Sequence, residues 1–188
     1  LCHEQLDLLF GDSGAHRARR HAEQAGGPIG GARQHPDERG GELLLATDMG
    51  VYRMTPGGAG SYLWSIHDST SSDVRDLLPG PDGLGNTFWA GGLGGITVVH
   101  GANMFEILAP TRRLPSSAVQ CLARGAGSTQ WVGTQAGVAR YDGKTWSLRQ
   151  GPRWLVNDDV RDVHVANDGT AWIATAGGVS ALHSRSMT

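Results

Sequence analysis

Apolar residues in this chain come in short bursts separated by glycine and polar turns, and from Glu42 onward the bursts recur in register. One cycle begins with an apolar run opened by Val74, Val119 or Val160, with a second apolar residue three places on at Leu77, Leu122 or Val163. A turn rich in Gly, Asp and Asn follows, as Pro81-Asp82-Gly83, Gly125-Ala126-Gly127 or Asn167-Asp168-Gly169. The next run opens on tryptophan. Trp131-Val132-Gly133-Thr134 leads to Gly137-Val138, and Trp172-Ile173-Ala174-Thr175 leads to Gly178-Val179. Trp89-Ala90-Gly91-Gly92, leading to Gly95-Ile96, is a looser copy, and Leu44-Leu45-Ala46-Thr47, leading to Gly50-Val51, puts Leu in the tryptophan place. The intervals are 45, 42 and 41 residues (44 to 89, 89 to 131, 131 to 172). Runs this short, punctuated by turn residues, predict strands rather than helices.

A period in the forties built from short strands and glycine turns is the mark of a β-propeller blade. The third strand of the best copy is Gly137-Val138-Ala139-Arg140-Tyr141, and Asp142-Gly143 predicts a two-residue hairpin turn into the outer strand. Each outer strand carries its own aromatic at a fixed offset from the next tryptophan. Trp64 to Trp89 is 25, Phe105 to Trp131 is 26 and Trp146 to Trp172 is 26. Aromatics held at constant offsets are expected to pack between adjacent blades, each burial contributing about 2–3 kcal/mol.

The predicted fold is therefore all-β: a β-propeller of about four repeats of 41–45 residues, and a fragment of a larger, roughly seven-bladed ring. The expected blades are 42–66 (partial), 73–109, 118–150 and 159–183 (partial), within a propeller segment 42–188. The chain opens on Leu1, and its last copy reaches His183 without an outer strand. Residues 1–41 form no comparable pattern. Gln5-Leu6-Asp7-Leu8-Leu9-Phe10 reads as an outer strand of a preceding blade, and the rest as a disordered arm or a frameshifted coding stretch.

Composition removes several function classes. The 188 residues carry a formal charge of −2, and the one basic run, Arg17-Ala18-Arg19-Arg20, has no interleaved aromatics, which argues against a nucleic-acid partner. Cys2 and Cys121 are too few and too distant for a disulfide framework or a zinc site, and no metal or other cofactor is expected. Cys121 falls in an inner strand and reads as a buried small hydrophobe. No apolar stretch approaches the roughly 18–20 residues of a membrane span.

Leu114-Pro115-Ser116-Ser117-Ala118-Val119, Trp131-Val132-Gly133-Thr134 and Gly137-Val138-Ala139-Arg140-Tyr141-Asp142-Gly143 together resemble the two-component-regulator propeller repeat. The fourth copy follows that repeat from Arg153-Trp154-Leu155 to Val179, the second departs at Gly92 and in a longer turn, and the first keeps only its latter half. The resemblance covers about residues 42–183. It implies a ligand-sensing propeller in the periplasmic or extracellular part of a bacterial sensor or hybrid histidine kinase. The implied partners are a small-molecule or oligosaccharide ligand, further blades, and signalling domains of the parent chain.

Comparing the copies also suggests a site. Seven residues before the inner-strand valine stand His67, Arg112 and Arg153, and one residue after it stand Arg75, Gln120 and Arg161. If the blades superpose, each set forms an arc near the channel mouth, where propellers commonly bind ligands. The guanidinium fork suits carboxylates and paired hydroxyls. The expected ligand is thus polar or anionic, an acidic saccharide among the candidates, with Trp154 either stacking on a sugar or capping the blade top. The blander reading is that Arg75 and Arg161 are neutralised by the adjacent Asp76 and Asp162, or by cross-blade pairs. A stand-alone scaffold for protein–protein interaction is the second reading of function.

Catalysis is the third reading. Asp82-Gly83 and Asp168-Gly169 resemble the Asp-box turns of sialidase-like propellers, which are structural, and no Tyr-Glu pair accompanies them. A lyase working through a lone histidine such as His164 with Glu106 remains open. Gly91-Gly92-Leu93-Gly94-Gly95 lacks the following helix of a phosphate loop.

Overall fold

The computed structural model describes residues 34–36, 43–54, 59–65, 73–80, 87–100, 104–108 and 113–183. They form four separate antiparallel sheets. The first contains β1 (Gln34–Pro36), β2 (Leu43–Thr47), β3 (Gly50–Met54) and β4 (Gly60–Ser65). The second contains β5 (Val74–Pro79), β6 (Thr87–Gly92), β7 (Gly95–His100) and β8 (Met104–Leu108). The third contains β9 (Val119–Arg124), β10 (Gln130–Thr134), β11 (Gly137–Tyr141) and β12 (Trp146–Arg149). The fourth holds three strands among the described residues: β13 (Val160–Val165), β14 (Ala171–Thr175) and β15 (Gly178–Leu182). Every ladder joins strands adjacent in sequence, the up-and-down order of propeller blades. The tract without sequence alternation contributes β1, which pairs with β2 through Gln34↔Leu45 and Pro36↔Leu43. The reading of Gln5–Phe10 lies outside the described residues.

One hairpin is repeated in all four blades. Gly50, Gly95, Gly137 and Gly178 each open the third strand at φ between 115° and 136°, a region that a side chain rarely tolerates. In three copies the residue opposite is threonine. Thr47, Thr134 and Thr175 each donate a hydroxyl to that glycine's carbonyl at 2.8–2.9 Å and accept from an amide two residues on at 3.2 Å. Gly92 holds this place in the second blade and has no hydroxyl to offer.

The turn into β12 differs from the two-residue hairpin expected there. Tyr141 pairs with Trp146, so the loop has four residues, Asp142-Gly143-Lys144-Thr145. The Asp142 carboxylate explains the extra length. It accepts from the amides of Lys144 (2.9 Å) and Thr145 (2.8 Å) and from the Thr145 hydroxyl (2.8 Å), winding the loop around itself. These bonds, the Thr145 amide foremost, hold its pKa at about 2 against an ordinary 3.8. A carboxylate depressed by folding supports the fold above its unfolded pKa and loses that support as pH falls through the folded one. Between about pH 4 and about pH 2 the melting temperature of Asp142→Asn is therefore expected to fall less steeply than that of the native chain. Parallel acid slopes in thermal melts would contradict this.

Blades meet through apolar faces. Trp89 is 3% exposed and lies against the next blade, its ring 5.7 Å from both Trp146 (20° between planes) and Tyr141 (41°). Trp131 is equally buried, in a cluster with Val160, Val163 and Ile173 of the fourth blade. The side chains of Trp64 and Phe105 lie outside the described residues. Close approach depends on small residues two places after the tryptophan. A Cβ on Gly91 would stand 2.6 Å from Val119 Cγ1, and one on Gly133 would meet Cys121 Sγ and Val160. Cys121 is fully buried in this seam, consistent with a small hydrophobe.

Candidate functional site

In an antiparallel blade, one rim of the disc carries the loop arriving from the previous blade, the start of the inner strand, and the hairpin between second and third strands. The backbone ties these parts together: Gln135 N donates to Ala118 O at 3.1 Å and Ala176 N to Asp159 O at 2.9 Å. Asp73 N, just before β5, donates across the seam to Asp48 O in the hairpin of the preceding blade at 2.9 Å. Side-chain turns shape the arriving loops, with Ser116 Oγ accepting from Ala118 N and Asn157 Oδ1 from Asp159 N.

The inner strands depart from regular pairing at one place each. Val74 faces Gly92 while Asp76 faces Gly91, Val119 faces Thr134 while Cys121 faces Gly133, and Val160 faces Thr175 while Asp162 faces Ala174. The skipped residues are Arg75, Gln120 and Arg161. A bulge of this kind re-aims a side chain out of the pleat, here in three consecutive blades at the same rim. The valine before each bulge is fully buried, so the register is anchored beneath a polar side chain that is half-buried at Arg75 and Gln120 and exposed at Arg161.

These side chains form a row. Arg75 donates from Nη1 to Gln120 Oε1 at 2.7 Å, joining the second blade to the third. Gln120 Nε2 donates to Asp159 Oδ1 at 3.2 Å, joining the third to the fourth. Arg75 also donates from Nε (3.0 Å) and Nη2 (2.9 Å) to Asp73 Oδ2, and Arg161 Nη2 donates to Asp159 Oδ2 at 2.6 Å. Charge therefore alternates along Asp73, Arg75, Gln120, Asp159 and Arg161 and sums to zero. Asp73 sits at φ 60°, a left-handed conformation uncommon for a non-glycine residue, with its carboxylate engaged by Arg75.

The expected pairing of each arginine with the next aspartate is not what forms. Asp76 is 2% exposed and turns between the blades, accepting from Leu77 N at 2.9 Å and from Leu122 N of the third blade at 2.7 Å. Asp162 accepts from its own neighbour Val163 N at 2.9 Å. The partners are the aspartates two residues earlier, on the near side of each bulge. Their signal was present in the sequence as Asp-Val-Arg-Asp, which occurs at 73–76 and again at 159–162.

Trp154 and Arg153 sit in the loop entering β13. Trp154 packs on the cluster around Leu155 and Val160, with the guanidinium of Arg149 4.5 Å and that of Arg153 5.2 Å from its ring centre. Both contacts are within the range of cation–π attraction. Gly151 N donates to Asp158 Oδ1 at 2.6 Å, closing the loop beneath them. His67 and Arg112 lie outside the described residues.

The catalytic candidates do not meet in a described arrangement. His164 is exposed on β13 opposite Trp172, and the side chain of Glu106 lies outside the described residues. Asp168 accepts from Thr170 N at 2.9 Å, and bonding to Thr170 lowers its pKa, which accords with a turn-forming role. Among the described residues no three His, Cys, Asp or Glu side chains gather to hold a metal, and no helix is long and apolar enough to cross a membrane.

No protein-family model and no curated protein matches the chain in sequence. Solved structures do match in fold. The extracellular domain of the hybrid two component system BT3049 from B. thetaiotaomicron is similar over 83% of this chain, with a TM-score of 0.71 and 17% identity. That of BT4673 from the same organism is similar over 76%, with a TM-score of 0.62 and 18% identity. The chain spans 22% and 20% of their lengths. Virginiamycin B lyase from Staphylococcus aureus is similar over 80% of this chain and 54% of its own, with a TM-score of 0.59 and 12% identity. Two of these solved structures come from the group of proteins that the repeat motif resembles, and what all three show of this chain is its fold, a run of four β-propeller blades.

Proposed function

We propose that this chain is part of the ligand-sensing propeller of an extracytoplasmic two-component sensor. It recognises a polar small molecule or oligosaccharide at the rim bearing Arg75, Gln120 and Arg161. The observation that carries the reading is the row of three equivalent bulges, which places donors and acceptors from three blades side by side. Arg153 and Trp154 border the row from the loop before β13, and His67 and Arg112 complete the proposed set from the corresponding earlier loops. The likeness to extracellular domains of hybrid two component systems supports a sensing role and a periplasmic or extracellular setting.

The geometry also refines the ligand. With Asp73 and Asp159 neutralising the two bulge arginines, the row offers alternating acceptors and donors and no net charge. A hydroxyl-rich ligand that both donates and accepts suits it better than a simple anion. The test is a binding screen of the chain against immobilised neutral and acidic oligosaccharides. Retention of a neutral class is expected, weakened at least tenfold by Gln120→Ala with Arg161→Ala and unaffected by Arg140→Ala at the far end of β11. Retention that survives the double substitution would remove the site. The lyase reading has a specific observation behind it in the virginiamycin B lyase fold, and turnover lost in His164→Ala would favour it.

A further inference from the structure

Trp154 does not offer a bare ring. The guanidiniums of Arg149 and Arg153 stand 4.5 Å and 5.2 Å from its centre, so its π surface is already taken up by two cations. A sugar stacked there would have to displace one of them. The indole serves instead to hold two like charges in one place.

The loop that carries it is fixed from several directions. Gly151 sits at φ 80°, and its carbonyl accepts from both Trp154 N and Leu155 N at 3.0 Å. Its amide donates to Asp158 Oδ1 at 2.6 Å, and Leu155, 2% exposed, is buried in the seam between the third and fourth blades. Trp154 is thus in position before any ligand arrives, and groups placed in advance lose little freedom on binding.

The two cations lack a counter-charge. Arg75 and Arg161 each have a carboxylate at 2.6–2.9 Å, whereas among the described residues none pairs with Arg149 or Arg153. Arg149 donates from Nη1 to Leu148 O at 2.8 Å, its buried Nε meets no acceptor among the described residues, and Arg153 is exposed. The nearby acids are engaged elsewhere, Asp158 by the Gly151 amide and Asp159 by Arg161 and Gln120. The place also differs from that of the bulge row. β12 is the outermost strand of its sheet and β9 the innermost, so Arg149 stands three strand spacings, about 14 Å, from Gln120.

We propose that Arg149 and Arg153, held on Trp154, form an oxyanion site that takes a carboxylate or a sulfate group, apart from the net-neutral row of Arg75, Gln120 and Arg161. A bound oxyanion lies beside two guanidiniums that otherwise repel each other, and accepts charge-assisted bonds from groups with no acid of their own. Trp154 is a positioning residue in this site. The inference rests on the function proposed above only in sharing Arg153 and Trp154, and it gives that rim a second, charged subsite.

The test titrates the native chain at fixed ionic strength with glucuronate and with inorganic sulfate, followed by calorimetry. Saturable binding of at least one of them is expected, weakened about tenfold or more by Arg149→Gln with Arg153→Gln. Trp154→Leu, which keeps both charges, should weaken it about threefold. Arg140→Gln, which removes a like charge at the far end of β11, should leave it unchanged, as should Gln120→Ala with Arg161→Ala. Tighter binding of glucuronate identifies an acidic saccharide as the source of the oxyanion, and tighter binding of sulfate a sulfate ester or the free ion. No saturation by either anion, binding that survives the paired arginine substitution, or an equal loss in Arg140→Gln would overturn the proposal. Should the glutamine pair not fold, Arg149→Lys with Arg153→Lys replaces it and should still weaken binding, because an ammonium lacks the planar fork. Oxyanion binding without retention of neutral oligosaccharides would remove the row and leave this site standing, and the reverse result would remove this site alone.

Discussion

Trp89→Ala is expected to destabilise the chain by about 3–5 kcal/mol, the range for deleting a buried aromatic without refilling its space. The ring lies between the second and third blades and stacks on Trp146, which itself lies 5.1 Å from Tyr141. Its removal therefore opens a cavity and takes away the surface on which two other aromatics rest, terms beyond simple area burial. For a chain of this size the loss corresponds to a fall in melting temperature of about 10 °C. Trp89→Phe should recover part of it, since a smaller ring still fills much of the seam. Thermal melts of both variants decide the matter. A loss below about 1 kcal/mol for the alanine variant would show that the aromatic stack contributes little to holding neighbouring blades together.

Asp76→Ala should cost about 3 kcal/mol, although it deletes only one small side chain. The carboxylate is buried and accepts from two amides, Leu77 N beside it and Leu122 N across the seam. Hydrogen bonds to charged groups contribute about 1.5–3 kcal/mol, and a buried amide left without its acceptor is penalised by a similar amount. The Leu122 amide belongs to an inner strand whose other edge pairs with β10, so this carboxylate also closes an exposed strand edge. Asp162→Ala, on the exposed equivalent, should change stability by about 0.5 kcal/mol or less. Urea unfolding of the two variants side by side tests the claim, and equal losses would refute the assignment of Asp76 as a bridge.

The repeat was legible because the forces that produce it are local. Trp89, Trp131 and Trp172 recur, and each is followed by a small residue and a glycine hairpin, because a blade must turn tightly and present a flat apolar face. Those demands act within forty residues and leave a period that can be counted. The bulges were not legible. Arg75 and Arg161 sit in Asp-Val-Arg-Asp, where simple alternation puts the arginine and its neighbours on opposite faces. Only the register of β5 against β6, and of β13 against β14, shows that the arginine is the extra residue. The arginine pairs with the aspartate two residues earlier, which alternation already places on its own face, and the bulge carries that pair out of the pleat to the rim. The cross-blade bonds through Gln120 were beyond reach for a further reason. They join residues 39 and 45 positions apart, where sequence distance says nothing until the blades are superposed. The four-residue turn at Asp142 was missed because Asp-Gly in a strand break reads as a tight hairpin, while the choice between loop lengths rests with Lys144 and Thr145 amides.

Among the described residues no strand of one blade enters the ladder of another, and what crosses the seams is mostly side chain: a tryptophan, a buried carboxylate, an arginine–glutamine pair and two groups, Arg124 and Gln130, that hold Pro79 and Gly80 carbonyls. A gene duplication that copies one period therefore inserts a sheet without breaking any existing strand ladder. The newcomer has to satisfy only two faces, and residues such as Asp76 or Cys121 determine which neighbour it accepts. For this architecture the heritable unit of change is the forty-residue repeat, with the single residue tuning how each copy fits between its neighbours.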